Sequence, residues 1–376
     1  MIIQCTKKLL DQLKIKPDMG VEEDPLFSWH ANLLTINRRK VLVFVNDKNR
    51  YSIVLYGLKA KDFKNFDEHI ISSIRKTFQQ ECIKEEIIDQ FINSASEITY
   101  TKTKNRSMIS RMNESCKNVH YYLDLLDERT IYQGELSQKI SRYIVGDRQG
   151  DYIYPNKEMY QDLRNLTGEK VFTSKAAVIK VTLELENYNV WRKLIIPTNI
   201  SFSKLHQILQ IAFEWQDYHL HEFYIYDNAV KKESLIYYSD DYDLSLKPII
   251  NLVSSEEDLD YQDLNDYEMK LEKGIKLSEY LPAKIKYIYD YGDDWEHSIE
   301  IQEIIDDYDK NYPICFDGKG NTPPEDVGGE GGFEEFLKII ADSNHPEHQF
   351  LLEWGEKQGY QDFDIEEINQ DLKIMF

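Results

Sequence analysis

Between Tyr289 and Ile304 the chain reads YDYGDDWEHSIEIQEI, which crowds Asp290, Asp293, Asp294, Glu296 and His297 around Trp295. Carboxylates and an imidazole packed this closely could hold a cation or act as an acid and base pair. Upstream, HLHEFYIYD sets His219 and His221 two residues apart. On a strand that spacing puts both rings on one face, where neighbouring side chains can converge on an ion. His219, His221 and His297, joined by Asp290 or Glu325, would then form the divalent metal site of a metal-dependent hydrolase or nuclease. Downstream, Pro323 and Pro324 stiffen the chain ahead of the carboxylate pair Glu325 and Asp326. Adjacent side chains usually diverge, so capping of the following loop or helix competes with a chemical role for that pair.

The structural reading of these residues is nearly complete. In KIKYIYDY, Ile285, Tyr287, Tyr289 and Tyr291 share one strand face; in WEHSIEIQ, Trp295, His297, Ile299 and Ile301 share one. Gly292-Asp293-Asp294 is the turn, with Gly292 expected to take the positive φ and the aspartates to bond nearby N–H groups. Only His297 is left without an assigned partner. The glycines at 328, 329, 331 and 332 precede a helix expected near Phe333, but the Walker lysine is missing and Glu325, Asp326 and Glu330 would repel phosphate. No full set of nucleophile, base and orienting group can be named. The leading expectation is therefore a non-enzymatic module without a required cofactor. Asp290, Asp293, Asp294, Trp295, His297, Glu325 and Asp326 would line a groove that binds a cationic protein or peptide. The metal-dependent enzyme stands as the alternative.

Charge supports a cationic partner. Of the 376 residues, positions 1–168 hold 26 Lys+Arg against 23 Asp+Glu, whereas the rest holds 19 against 44. This asymmetry marks a boundary between a domain at 1–168 and one at 169–376. The acidic second half repels phosphate backbones, so nucleic-acid contact is expected only from the first, where Arg38, Arg39 and Lys40, and Lys102, Lys104, Arg106 and Arg111, form basic clusters. A mobile-element accessory protein touching DNA through that half is the third reading. No run of about 18 apolar residues occurs, and MIIQCTKKLL lacks a secretory layout, so no membrane association and a cytoplasmic location are expected. Cys5, Cys82, Cys116 and Cys315 are isolated and suggest neither a zinc ribbon nor a disulfide framework.

The elements that must position these residues read as α+β: two domains, each a mainly antiparallel sheet packed with helices. In the first, IIQCT, FSWHANLLTI, KVLVFVND and YSIVLYGL are strands, and Phe66, Ile70, Ile74 and Phe78 mark a covering helix. Residues 127–168 read as an irregular closing arm. In the second, AVIKVTLELENYNVWRKLIIP is a hairpin, followed by a helix capped by Ser201 or Ser203 with Leu205, Ile208, Leu209, Ala212 and Phe213 on its buried stripe. The acidic stretch 227–270, including SDDYD, reads as a solvated insertion in a sheet.

Two resemblances accompany this reading. WQDYHLHEF, YDYGDDWEHSIEIQEI, YPICFDGKGNTPPEDVGGEGGFEEFL and the later HPEH resemble the plasmid pRiA4b ORF-3-like family, in order and at similar spacing, over about residues 170–376. The likeness implies an α+β fold and a shared functional surface around His219, His221, Asp290, Asp293, Trp295, His297, Glu325 and Asp326, without assigning a reaction. MIIQCTKKLL, SWHANLL and KTKNRSMISRMNE are similar to an uncharacterised bacterial domain family, which implies organisation and no chemistry.

Overall fold

The computed structural model describes residues 1–19, 24–95, 97–146, 152–230 and 247–376. The SDDYD segment lies outside them. The chain divides into two compact units, Met1–Thr173 and Ser174–Phe376. Residues 169–173 go with the first, where Lys84 N–H donates to Val171 O and Thr173 N–H to Cys82 O, at 2.9 Å each.

The first unit begins with β1 (Ile2–Cys5), α1 (Lys7–Leu13), β2 (Ser28–Ile36), β3 (Arg39–Asn46) and β4 (Ser52–Leu58). It continues through α2 (Phe66–Gln80), α3 (Glu85–Ser94), β5 (Thr99–Lys102), α4 (Arg106–Tyr121) and α5 (Gly134–Ser141), then a ribbon of β6 (Val145–Gly146) and β7 (Tyr152–Ile153), and α6 (Pro155–Thr167). The sheet order is β4-β3-β2-β1-β5, with β1 parallel to both neighbours and the other pairs antiparallel. Trp29, Leu42, Phe44 and Leu55 pack with Ile74, Phe78 and Phe91 on one face, while Val41, Val43 and Val54 pack with Met112, Cys116 and Leu136 on the other. Two covered faces explain why β3 is apolar almost throughout.

The expected closing arm contains two helices instead. The signals for α6 are local: Pro155 opens it, Met159 and Leu163 lie one turn apart and are buried, and Gly168 ends it at φ 74°. Proline in the first turn and a left-handed glycine after the last are ordinary helix punctuation.

The second unit is built on an eight-stranded sheet of β8 (Ser174–Glu184), β9 (Asn189–Pro197), β10 (His221–Asp227), β11 (Ile250–Val253), β12 (Glu268–Leu271), β13 (Ala283–Tyr289), β14 (Trp295–Tyr308) and β15 (Ile314–Lys319). Its order is β12-β11-β10-β13-β14-β8-β9-β15, antiparallel except between β11 and β12. The acidic stretch therefore supplies two strands of the sheet, β11 and the edge strand β12, rather than a solvated insertion throughout. Four helices follow the chain: α7 (Phe202–Ala212), α8 (Gly329–Ala341), α9 (His348–Lys357) and α10 (Ile365–Met375). Ser201 caps α7 by accepting from Lys204 N–H. The α7 stripe packs with Val181, Leu194, Phe223, Tyr287, Tyr289 and Trp295 in one core. Both units are α+β with mainly antiparallel sheets, as the alternating runs imply. Among the described residues, no helix is long and apolar enough to cross a membrane.

Candidate functional site

Strands β13 and β14 pair from Lys284↔Glu300 to Tyr289↔Trp295, so the turn comprises Asp290 to Asp294. Asp294 N–H donates to Asp290 O at 2.7 Å, and Gly292 N–H to Asp290 Oδ1 at 2.8 Å. The left-handed positions are Asp290 at φ 59° and Asp294 at φ 56°, not Gly292 as expected. Aspartate tolerates this region better than most side chains because it bonds locally to the backbone. The third aspartate reaches across to another element: Asp293 Oδ2 accepts from Gly328 N–H at 3.0 Å. Gly328, at φ 90°, is the N-cap of α8, which starts at Gly329 and absorbs the glycines expected to form a loop. A Cβ on Gly329 would lie 3.2 Å from Asp293 O, so a small residue permits this close approach of hairpin and helix.

The loop after α7 lies against the same place. Trp215 Nε1–H donates to Pro323 O at 3.0 Å, and Gln216 N–H to Glu325 Oε1 at 2.8 Å. Tyr289 connects the pieces: its hydroxyl donates to Glu325 Oε1 at 2.9 Å and accepts from Tyr218 N–H at 3.0 Å. Burial pushes the Glu325 carboxyl above its ordinary value, against the opposing pull of these donors. His219 is carried by this loop and sits before β10 begins. Its Nε2 lies 3.1 Å from Asp326 Oδ1, 3.5 Å from Asp290 Oδ2 and 3.9 Å from Glu325 Oε2.

The three-histidine set is not assembled. His221 turns to Glu272, Nε2 to Oε2 at 3.0 Å, and stacks on His206 with ring centroids 3.4 Å apart. His206 in turn bonds Tyr287 OH through Nδ1 and Asp217 through Nε2, both at 2.8 Å, and burial pushes its pKa down. His297 is enclosed by the rings of Phe213, Trp215 and Tyr287; its Nδ1 bonds Trp295 O at 3.0 Å, while Nε2 is buried without a partner. Burial lowers its pKa to about 3. His219 precedes the strand and so does not share a face with His221, and His297 lies in the core.

The expected docking surface is corrected as well. Asp290, Trp295, His297 and Glu325 are buried, Asp293 is half-buried and committed to α8, and only Asp294 and Asp326 are exposed. Among the described residues, the group of ligand-bearing side chains close enough to share one ion is His219, Asp290 and Asp326, their atoms within 4.8 Å of one another. Sequence reasoning missed Tyr289 as a clamp and the polar contacts of α7. His206 and Gln210, one turn apart on an otherwise apolar helix, both bond Tyr287 OH, and that polar pair was a usable signal. Within the first basic cluster, Arg39 pairs with Glu128 at 3.0 Å and Lys40 lies over the Phe63 ring.

Residues 175–372 match the family described as plasmid pRiA4b ORF-3-like protein. The chain belongs to this family. An uncharacterized protein of Sinorhizobium fredii, y4hQ, is 32% identical over 186 residues, covering 48% of this chain and 81% of its own length. A crystal structure of a protein of unknown function from Methanosarcina mazei Go1 is 27% identical, with a TM-score of 0.40, covering 52% of this chain and 98% of its own. Residues 2–158 match a domain of unknown function, DUF6933. The pRiA4b ORF-3-like domain thus contains the hairpin, the His219 loop and the Glu325 loop, and what they do must be argued from their chemistry.

Beyond Asp326 the domain has a groove between α8 and α9, with a cavity of about 340 Å³. Phe336, Leu351 and Trp354 line its apolar part, and Asp326, Glu335 and Glu347 supply carboxylates. Phe350, also in the lining, is 66% exposed.

Proposed function

We propose that the pRiA4b ORF-3-like domain is a non-enzymatic docking module for a cationic protein or peptide, seated in the groove between α8 and α9. The observation that carries this reading is an apolar trough bordered by Asp326, Glu335 and Glu347, with Phe350 left in solvent beside it. An amphipathic segment with one apolar and one basic face complements such a groove: its apolar side chains remove Phe350, Leu351 and Trp354 from water, and its lysines meet the carboxylates. The strong acidity of the second half of the chain would speed the encounter.

Calorimetric titration of the full chain with a leucine/lysine amphipathic peptide, and with a leucine/glutamate counterpart, tests the reading. The lysine peptide should bind, the glutamate peptide should not, and affinity should fall as salt is raised. The double variant Glu335→Lys/Glu347→Lys should weaken binding at least tenfold. Salt-insensitive binding, or an unchanged affinity in that variant, would refute the assignment.

A further inference from the structure

A separate feature of the second unit points to an inorganic ligand. Three carboxylates surround His219, and each uses one oxygen for structure while the other faces the ring. Asp290 accepts Gly292 N–H through Oδ1, leaving Oδ2 3.5 Å from His219 Nε2. Glu325 accepts Gln216 N–H and Tyr289 OH through Oε1, leaving Oε2 3.9 Å from the same atom. Asp326 accepts Gln358 Nε2–H through Oδ2, leaving Oδ1 at 3.1 Å. Glu325 is fully buried, and neither its Oε2 nor His219 Nε2 has a hydrogen-bond partner. A buried carboxylate oxygen aimed at other acceptors, with no donor, is costly as it stands.

We propose that His219, Asp290 and Asp326 form a binding site for one divalent first-row transition-metal cation, with the unpaired buried oxygen of Glu325 beside them adding negative charge to the site. Ligands bonded at about 2.0–2.3 Å and about 90–110° apart are separated by about 3–3.8 Å, the spacing that Asp326 Oδ1 and Asp290 Oδ2 keep from the imidazole nitrogen, with Glu325 Oε2 just beyond it at 3.9 Å. A protonated His219 is a weaker answer. Its one Nε2–H can serve a single oxygen, and one positive charge faces three carboxylates, whereas a dication offers several coordination positions and two charges. The imidazole favours Zn²⁺ over Mg²⁺ and Ca²⁺, which prefer all-oxygen shells, and the carboxylates admit Mn²⁺ as a spectroscopic probe of the same site. The site joins three separate segments: the loop after α7, the hairpin turn, and the residues leading into α8. A bound ion would fix their mutual positions.

This inference does not depend on the α8/α9 groove: Asp326 borders both places, but His219 and Asp290 lie outside the groove lining, and the test reads ion binding in the absence of any peptide. The full chain, dialysed against chelator and then buffer, is titrated with MnCl₂ and separately with ZnCl₂ by calorimetry, with electron paramagnetic resonance for Mn²⁺. One equivalent should bind to the wild type, and added ion should raise its Tm. Asp290→Asn retains the acceptor for Gly292 N–H and suits a left-handed backbone, so it should fold and yet bind at least tenfold more weakly; His219→Gln should do the same. Circular dichroism in chelator verifies their folding. Asp326→Asn, at an exposed side chain, provides the same readout should either of the others fail to fold. Asp260→Asn, at an exposed carboxylate outside both the cluster and the groove, should leave affinity unchanged. Absence of stoichiometric binding to the wild type, or wild-type affinity in the folded ligand variants, would overturn the site.

Discussion

Replacing His297 by phenylalanine should remove a definite part of the acid sensitivity of the second unit. The ring is fully buried among Phe213, Trp215 and Tyr287, and burial lowers its pKa from 6.5 to about 3. Between those values the unfolded chain binds a proton there and the folded chain does not. Stability from this residue is therefore fully present above about pH 6.5 and lost as pH falls, by about 1.4 kcal/mol per unit. The loss is about 3 kcal/mol at pH 4.5 and about 4 kcal/mol when pH reaches the folded value. At neutral pH the substitution should be nearly silent. It removes the bond to Trp295 O, worth about 1 kcal/mol, together with an unpaired buried nitrogen whose burial opposes folding by a similar amount. Urea unfolding at pH 7.5, 5.5 and 4.5 measures the effect by tryptophan fluorescence, since Trp191, Trp215, Trp295 and Trp354 belong to the second unit and only Trp29 to the first. Carboxylates titrate in both proteins, so the informative quantity is the difference between them, which should change by about 3 kcal/mol from pH 7.5 to 4.5. Parallel pH profiles for wild type and variant would refute the reasoning.

Two further substitutions probe how the loops around His219 are held. Arg192 is fully buried and donates to Ala212 O at 2.7 Å and to Lys319 O and Gly320 O at 3.0 Å, with Glu214 at 3.6 Å; Arg192→Ala should destabilise the second unit by about 3–5 kcal/mol, which calorimetry should register as a Tm lower by about 6–20 °C. Asp293→Ala removes the acceptor for Gly328 N–H at the start of α8 and should cost about 1 kcal/mol in urea unfolding, with Asp293→Asn retaining most of the stability.

Much of the scaffold was legible before any coordinates. The alternation in KIKYIYDY and WEHSIEIQ correctly placed Tyr287, Tyr289, Trp295, His297 and Ile299 on the core face, because strand side chains alternate irrespective of context. The stripe and cap of α7 follow equally local rules. Local signals were also present for α6, in Pro155, Met159, Leu163 and Gly168, but the aromatic residues around it obscured them. The turn was misjudged in detail, since a Gly-Asp-Asp triplet does not reveal which residue the flanking strands force into the left-handed region.

What the sequence by itself determined is therefore periodic and short-range: strand faces, helix stripes, the family signature and the acidity of the second half. Only tertiary structure decided that His219 meets Asp290, Glu325 and Asp326 while His221 and His297 turn elsewhere. The physical reason is that these four residues come from three distant segments, brought together by Tyr289 binding Glu325 and by Asp293 binding the first turn of α8. Neither bond leaves a periodic trace. Each depends on where a loop ends after the sheet has formed, and a shift of one residue would have sent a different side chain into the cluster.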